Sequence, residues 1–306
     1  MMSRIKALAK IVLFVKNWPS VLWNVFVLRR GATARFNGGH TFAVSPSKWG
    51  DFMQEVDFFR YFPKGEINGT KATILYEGKE LTLSFNNKDL KPINLGEVFG
   101  QKAYDPFCKD INFSGRTVVD VGASFGDTPV YFTLRGAKKV VAIEPLPSYV
   151  PLIRENMALN GFSPVCDVIH AGVGQKELPD IADDPMFKVV FGSYEALRSE
   201  FGSQNIPVIT LETIVKKYSI SDGVLKVDCE GWEYPIFGSV PRETLRRFEY
   251  ILIEYHYGFE ELEKMISGAG FTVAHTNFTA IHVPQRQGEY QNMRVGFLFA
   301  HRTGAK

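Results

Sequence analysis

The chain has 306 residues, 45% of them hydrophobic and 13% aromatic, enough to bury a large core in one big domain or in a catalytic domain with an accessory piece. A net charge of +2 without a long basic run gives no electrostatic reason for a nucleic-acid partner. Three cysteines without a C-x-x-C pair argue against a disulfide framework and favour a reducing, cytoplasmic compartment. The six histidines lack H-E-x-x-H spacing, so no metal site is predicted.

Residues 1–34 are predicted to form a helical arm. The segment Ile5–Leu28 is rich in apolar residues, but lysines interrupt it, and no apolar run reaches the roughly 20 residues of a membrane-spanning helix. Two interpretations stay open. The arm packs on its own domain or on a second subunit, or it is an interfacial helix with Trp18 and Trp23 at the headgroup level of a membrane.

Residues 35–105 are predicted to form an accessory lobe that is β-rich or mixed. Alternating patterns at 72–76 and 81–85, joined by Glu77-Gly78-Lys79, predict two antiparallel strands with a tight turn. Asn68-Gly69 predicts a further turn before them.

Residues 106–306 are predicted to form the main domain, an α/β fold. Strands and helices alternate from Thr117 onward, which predicts βαβ units in a mostly parallel sheet with helices on both faces. The predicted strands are 118–121, 139–143, 165–171, 224–228 and 250–254. The predicted helices are 129–135, 149–160, 211–218, one from about 232, and 260–267. Two final strands, 271–275 and 294–300, have no helix between them, which predicts an antiparallel pair at one sheet edge.

One long stretch breaks this alternation. Residues 175–205 contain Pro179, Pro185 and two Gly-Ser pairs. Loops of that length are uncommon unless they carry function or are disordered, so a lid or substrate-facing flap is predicted there.

A glycine turn follows the first strand of the main domain, within Val118–Asp127. Gly122 and Gly126 allow the backbone to turn sharply and to approach a ligand, and Asp127 or Ser124 is suited to cap the next helix. The spacing Gly-x-x-x-Gly lacks the third glycine of the dinucleotide fingerprint. This absence disfavours a nicotinamide-dependent dehydrogenase.

Carboxylates recur at the ends of the predicted strands, at Asp120, Glu144, Asp228 and Glu254. Ligands of such sheets bind outside the carboxyl ends of the strands, so these four side chains are expected to face one crevice. Glu144 follows the glycine turn by roughly the twenty residues expected of a group that hydrogen-bonds a ribose diol.

Three motifs together resemble the FkbM-type methyltransferases: Val118–Asp127, Ala142–Pro145 and Leu225–Glu233. The resemblance covers about Thr117 to Ala300. It implies S-adenosylmethionine as cofactor on the seven-stranded, Rossmann-like sheet of the class I methyltransferases.

The resemblance also implies the cofactor-binding residues. These are Asp120, Gly122 and Gly126 around the methionine part, Ala123 and Ser124 in the same turn, Glu144 at the ribose and Ala171 beside the adenine. Two residues depart from the family pattern. Ser124 stands where the family often has asparagine, and Trp232 stands where a small residue is common.

Asp228, His256 and Glu230 are the candidate catalytic residues. A hydroxyl acceptor must lose a proton, and all three lie at or just beyond strand ends beside the predicted cofactor. Asp228 ranks first as a positioning or basic group, and His256 second. The structural alternatives are a backbone partner for His256 and helix N-terminal charge for Glu230 and Glu233.

The predicted function is methylation of a hydroxyl on a sugar, glycan or small metabolite, an acceptor class that the family resemblance supplies. Two alternatives stay open. One is methylation at nitrogen, which demands less of a base. The other is a non-catalytic cofactor-binding scaffold or membrane-recruitment module, which Ser124, Trp232 and the N-terminal arm support.

Overall fold

In the computed structural model, the described residues are 2–37, 39–86, 90–175, 207–283 and 291–304. The chain folds as two compact units, Met1–Pro106 and Phe107–Lys306. Within the described ranges, no helix combines the length and the apolar character needed to cross a membrane. The predicted lid lies outside the described residues except for its first position, Gln175.

The first unit combines helices with two small antiparallel sheets. Its elements are α1 (Met2–Phe14), α2 (Trp18–Leu22), a π-helical turn (Trp23–Val27), β1 (Ala32–Arg35), β2 (Thr41–Val44), α3 (Trp49–Tyr61), β3 (Glu66–Asn68), β4 (Lys71–Tyr76) and β5 (Lys79–Ser84). Strands β1 and β2 pair, and β3, β4 and β5 form the second sheet. The predicted hairpin is confirmed, because β4 pairs antiparallel with β5 around Glu77 and Gly78.

Helix α3 was not predicted, and it makes the lobe mixed, the second of the two expected compositions. The helix buries Phe52, Val56 and Phe59, at spacings of four and three residues. Aromatic residues also favour strands, which weakens the helical signal of this segment.

The second unit alternates strands and helices after α4 (Asp105–Cys108), which spans the division between the units. Its strands are β6 (Thr117–Val121), β7 (Lys139–Glu144), β8 (Cys166–His170), β9 (Gly172–Val173), β10 (Val208–Ile209), β11 (Gly223–Val227), β12 (Phe248–Tyr255), β13 (Phe271–His275), β14 (Thr279–His282) and β15 (Asn292–Arg302). Its helices are α5 (Asp127–Leu134), α6 (Tyr149–Leu159), α7 (Leu211–Lys217), α8 (Glu233–Ser239), α9 (Arg242–Leu245) and α10 (Glu260–Gly268).

The main sheet has the order β13-β15-β12-β11-β6-β7-β8, with β14 paired to β15. Strands β12, β11, β6, β7 and β8 run parallel, and β15 is antiparallel to both β12 and β13. The mostly parallel, Rossmann-like sheet is therefore confirmed, and so is its antiparallel edge. Among the described residues, this main sheet has eight strands rather than the expected seven. The extra strand, β14, is exposed at all four positions and so lacks the apolar alternation that reveals a strand in a sequence.

The parallel register aligns the ends of four strands. One row consists of Ile143, Val121, Val227 and Ile253. The next residues along the chain are Glu144, Gly122, Asp228 and Glu254. Three of the four predicted carboxylates therefore belong to one row at the carboxyl edge of the sheet. Asp120 lies two positions behind that row, where it pairs in register with Lys226.

The central strands are buried on both faces, which explains their nearly continuous apolar sequences. All five residues of β11 and four of the five residues of β6 are buried. Asp120 and Lys226 are the charged residues of these two strands, and their burial must be compensated by contacts inside the protein.

Candidate active site

The glycine turn after β6 is closed so tightly that Gly122 has no room for a side chain. Its φ is 77°, and an added Cβ would lie 1.8 Å from the carbonyl oxygen of Asp228. The backbone N–H groups of Gly122 and Ala123 both donate to the carbonyl of Ile143, at 3.0 and 3.1 Å. The turn is therefore fixed to the end of β7 and packs against the end of β11.

Gly126 closes the other end of the turn. It precedes α5 with a φ of 96°, and an added Cβ would lie 3.1 Å from the Cα of Ile153. The absence of a side chain thus brings the start of α5 close to α6. Both glycines that the sequence singled out serve a close backbone approach.

Glu144 contacts the turn through backbone groups. Its carboxylate accepts hydrogen bonds from the N–H of Ser124 at 2.8 Å and from the N–H of Leu146 at 2.9 Å. Burial raises the pKa of Glu144 to about 8, although both hydrogen bonds oppose this shift. Ser124 has a φ of 47°, a conformation in which asparagine is enriched among residues other than glycine. Its backbone, rather than its hydroxyl, makes the contact with Glu144.

Asp120 is fully buried and belongs to an ion pair. Its carboxylate lies 3.0 Å from the Nζ atom of Lys226 and accepts a hydrogen bond of 2.6 Å from the Thr128 hydroxyl. Lys226 also donates to the carbonyl oxygen of Gly122 at 2.7 Å. Burial alone would lower the pKa of Lys226, but the carboxylates of Asp120 and Asp228 raise it above its usual range. The expectation that Asp120 faces the crevice is therefore wrong, because the side chain holds Lys226 beneath the glycine turn.

An apolar slot opens between the ends of β7, β9 and β11. Its walls include Val121, Gly122, Ile143, Pro145, Ala171, Gly172, Val173, Cys229, Trp232 and Ile236. The indole N–H of Trp232 donates to the carbonyl of Val173 at 2.9 Å, so this side chain spans the slot. The volume of the slot is about 30 Å³, which is smaller than a purine ring.

Asp228 lies directly after β11, between two cationic side chains. Its carboxylate is 3.7 Å from the Nζ atom of Lys226 and 3.9 Å from the Nε2 atom of His256. The side chain is 27% exposed, whereas those of Lys226 and His256 are buried. Asp228 is thus the member of this cluster whose side chain reaches the surface, at the carboxyl edge of the sheet.

His256 is oriented from behind by Glu233. The Nδ1 atom of His256 lies 3.0 Å from a carboxylate oxygen of Glu233, which is fully buried and also accepts from the N–H groups of Cys229 and Gly231. The Nε2 atom faces Asp228 and Glu230, the latter at 3.8 Å with a side chain that is half exposed. The sequence left open a structural role for His256 with a backbone partner, but the partner of its ring in the structure is the Glu233 carboxylate.

The surrounding carboxylates decide the charge of His256. Burial alone would lower its pKa, but Glu233, Glu230 and Asp228 raise the pKa to about 10. The same ion pair lowers the pKa of Glu233 against the effect of burial. His256 is therefore an imidazolium at neutral pH and does not accept a proton there.

This charge state links stability to pH. Because the pKa of His256 is about 10 in the folded chain and 6.5 without its partners, its contribution to stability is complete below pH 6.5 and is lost as pH rises through 10. We expect the free energy of unfolding to fall between these values more steeply for the wild type than for His256→Gln. Urea unfolding of both proteins at neutral and alkaline pH measures the difference. Identical pH dependences would contradict the ion pair.

The ligand atoms of Asp228, Glu233 and His256 lie within 4.8 Å of one another, an arrangement that could hold a metal ion. Glu233 and His256 are already joined by a direct hydrogen bond. The expectation from the sequence that this protein has no metal site stays a prediction.

The model of the methyltransferase FkbM domain matches residues 120–273. The chain belongs to this family. Membership confirms the predicted family and supports S-adenosylmethionine as its cofactor. Among curated proteins, none matches the chain.

Solved structures resemble this FkbM-family chain at low sequence identity. One is a protein from Streptococcus mutans assigned to the SAM-dependent methyltransferases, with a TM-score of 0.43, 10% identity, and coverage of 77% of this chain and 56% of that chain. Another is methyltransferase FkbM from Methylobacillus flagellatus, with a TM-score of 0.42, 16% identity, and coverage of 62% and 45%. A third is P. horikoshii TYW2 in complex with MeSAdo, with a TM-score of 0.39, 15% identity, and coverage of 78% and 74%. The chain spans about half the length of the first two.

The residues of this FkbM-family site suit S-adenosylmethionine in two respects. The glycine turn lies at the carboxyl edge of the sheet, where such sheets bind ligands, and it packs directly on the backbone of Asp228. Glu144 places a carboxylate beside the turn, and Ala171 lies in the wall of the apolar slot. A polar group for a ribose and an apolar surface for a base are therefore present together.

Three residues of the site were not recognised in the sequence as parts of it: Thr128, Lys226 and Glu233. A signal for Lys226 was present, since a lysine inside the apolar run Val224–Val227 requires a buried anionic partner. Asp120 in the equally apolar β6 is that partner, and the strand order is needed to bring the two together. Glu233 does lie in the first turn of α8, as expected, but its carboxylate also pairs with His256.

Proposed function

We propose that this protein is an S-adenosylmethionine-dependent methyltransferase that acts on a hydroxyl group of a sugar, glycan or small metabolite, rather than on a nucleic acid. One observation supports the hydroxyl acceptor above all. The partly exposed side chain of Asp228 lies at the carboxyl edge of the sheet, beside the Gly122 turn, and the cationic groups of Lys226 and His256 are next to it.

The cofactor side of the proposed site consists of the glycine turn and its neighbours. Gly122, Ala123 and Ser124 provide close-packed backbone, and Gly126 sets the start of α5 behind them. Glu144 would hold the ribose hydroxyls, and Ala171 would border the adenine. Asp120 acts indirectly, because it fixes Lys226, whose ammonium holds the Gly122 carbonyl. When bound, S-adenosylmethionine supplies an electrophilic methyl group on a sulfonium.

The acceptor side consists of Asp228, His256 and Glu230. Asp228 accepts the proton of the acceptor hydroxyl in a hydrogen bond and orients its oxygen for in-line attack. His256 is a positioning residue, since its imidazolium lies 3.9 Å from the Asp228 carboxylate and attracts it. The exposed carboxylate of Glu230 lies on the solvent side of His256, where it contacts the acceptor's other polar groups.

Asp228→Asn is expected to lower kcat about a hundredfold, the lower end of what general acid–base groups contribute, while donor affinity changes little. The amide retains the shape of the carboxylate but cannot take the proton. Turnover with labelled donor gives kcat, and calorimetry gives donor affinity. Asp110→Asn, at an exposed position, is the matched control. Normal turnover by Asp228→Asn would remove Asp228 from the reaction, and a parallel loss of donor binding would assign it to the cofactor side.

The function itself is tested by binding and by transfer. Calorimetry is expected to show binding of S-adenosylmethionine and none of NAD. Incubation of a metabolite extract with labelled donor is expected to add one methyl group to members of a glycan or small-metabolite fraction. Absence of donor binding would refute the proposal. Donor binding without transfer to any fraction would identify a scaffold, and label on nitrogen would identify an N-methyltransferase.

A further inference from the structure

Exposed apolar side chains are concentrated in one short part of the chain. Eleven large apolar residues are exposed among the described residues, and seven of them lie between positions 8 and 28. These seven are Leu8, Val12, Leu13, Trp23, Phe26, Val27 and Leu28. Single exposed apolar residues are ordinary on a protein surface, but such a cluster marks an interaction site.

The exposed residues occupy the outer side of helices whose inner side is already packed. In α2 and the π-helical turn, Val21 and Val25 are buried, whereas Trp23, Phe26 and Val27 are exposed. Spacings of three and four residues place Trp23, Phe26 and Val27 on one face. The segment is therefore apolar on both sides, although only one side is covered.

Helix α1 repeats this arrangement. Leu8 and Val12, four residues apart, are 44% and 43% exposed, whereas Ile11 is buried. Helix α1 and the segment formed by α2 and the π-helical turn thus each present an uncovered apolar stripe.

The same part of the chain is strongly basic. The first 50 residues contain eight lysines and arginines and no aspartate or glutamate, although the whole chain has a net charge of only +2. Arg29 and Arg30 are both exposed and directly follow the apolar residues Val27 and Leu28. Lys16 is exposed as well. A surface that combines apolar side chains with unbalanced positive charge complements an apolar layer with anionic groups at its boundary.

We propose that this surface, formed by Trp23, Phe26, Val27, Leu28, Arg29 and Arg30, binds the face of an anionic membrane. The apolar side chains enter the boundary between headgroups and acyl chains, with the helix in the plane of the membrane. The Trp23 indole lies at headgroup depth, and the arginines extend to the lipid phosphates. The rings of Phe26 and Trp49 pack edge to face with their centroids 4.7 Å apart. This contact holds Phe26 in place without a membrane. The proposal is independent of the proposed catalytic function.

Flotation of the full-length protein with vesicles tests this proposal. Binding is expected with phosphatidylcholine vesicles that contain phosphatidylserine, and weaker or no binding with phosphatidylcholine alone or at high salt. The double variant Trp23→Ser, Val27→Ser is expected to reduce the affinity at least about tenfold, since two apolar side chains no longer enter the lipid. Arg29→Gln is expected to reduce it about fivefold, the effect of one basic residue near an anionic surface.

Matched controls lie in the same unit. Leu75→Ser alters a side chain that is 53% exposed in β4, and Lys64→Gln removes an exposed charge, and neither is expected to change vesicle binding. Thermal unfolding checks that the Trp23 and Val27 variant remains folded, and Arg29→Gln tests the surface without altering its apolar residues. Failure of the wild type to float with anionic vesicles would overturn the proposal, as would equal losses in the controls. Concentration-dependent dimers that the serine variant abolishes, without vesicle binding, would instead assign the surface to a second copy of the chain.

Discussion

Lys226→Met is expected to lower the free energy of unfolding by about 3–5 kcal/mol, the usual cost of removing one partner from a buried ion pair. Methionine fits the volume of the lysine stem but leaves the Asp120 carboxylate without its cation in a fully buried position. The carbonyl of Gly122 also loses its donor, so donor affinity is expected to fall together with stability. Urea unfolding and calorimetry with S-adenosylmethionine measure the two effects.

The chain contains a matched lysine–aspartate pair in a half-exposed position. Lys139 and Asp167 lie 2.6 Å apart with side chains that are 27% and 46% exposed, and Lys139→Met is expected to cost less than about 1 kcal/mol. Combining Lys226→Met with Asp120→Asn removes the stranded charge and is expected to recover part of the lost stability. A double variant less stable than Lys226→Met would show that Asp120 is stabilised by groups other than Lys226.

Gly122→Ala is expected to abolish donor binding and to lower the free energy of unfolding by about 2–5 kcal/mol. A left-handed conformation costs a residue with a Cβ about 1–2 kcal/mol, and overpacking adds about 1–3 kcal/mol. The contact is with the backbone oxygen of Asp228, 1.8 Å from the added Cβ, so no side-chain rotation relieves it. The turn and the end of β11 must separate, which displaces both sides of the proposed site.

Gly161→Ala separates these two costs. Gly161 has a φ of 74°, close to the 77° of Gly122, but an added Cβ there meets nothing within 4 Å. Its alanine variant is expected to lose only the conformational part of the stability and to bind the donor normally. Equal losses in the two variants would show that the close packing of the turn against Asp228 is unimportant.

The sheet could be predicted because strands that are buried on both faces have nearly continuous apolar sequences. Thr117–Val121 and Gly223–Val227 are short apolar runs bounded by turn residues, and glycines mark helix ends such as Gly136 and Gly161. The predicted antiparallel edge followed from the missing helix between two strands. Two elements lack such a pattern and could not be predicted in the same way. Helix α3 buries aromatic residues, which also favour strands, and β14 is exposed at every position.

The site could be predicted only in part, because its chemistry depends on neighbours distant in the chain. The row of Glu144, Asp228 and Glu254 follows from strand ends, but the displacement of Asp120 from that row depends on strand order and register. The charge of His256 depends on Glu233, a residue whose position in the sequence suggested only a helix terminus. Local patterns therefore identified part of the candidate site, and the tertiary contacts add Thr128, Lys226 and Glu233 to it.

The bond from Lys226 to the Gly122 carbonyl joins residues 104 positions apart in the chain. During synthesis the glycine turn leaves the ribosome long before β11, so the nascent chain contains the turn before it contains the lysine that holds the Gly122 carbonyl. Contacts of such high sequence separation form slowly, because loop closure must precede them. The turn thus reaches its final conformation late in folding. If it binds the donor as proposed, fragments that end before Lys226 are expected not to bind S-adenosylmethionine, although they contain the entire glycine turn.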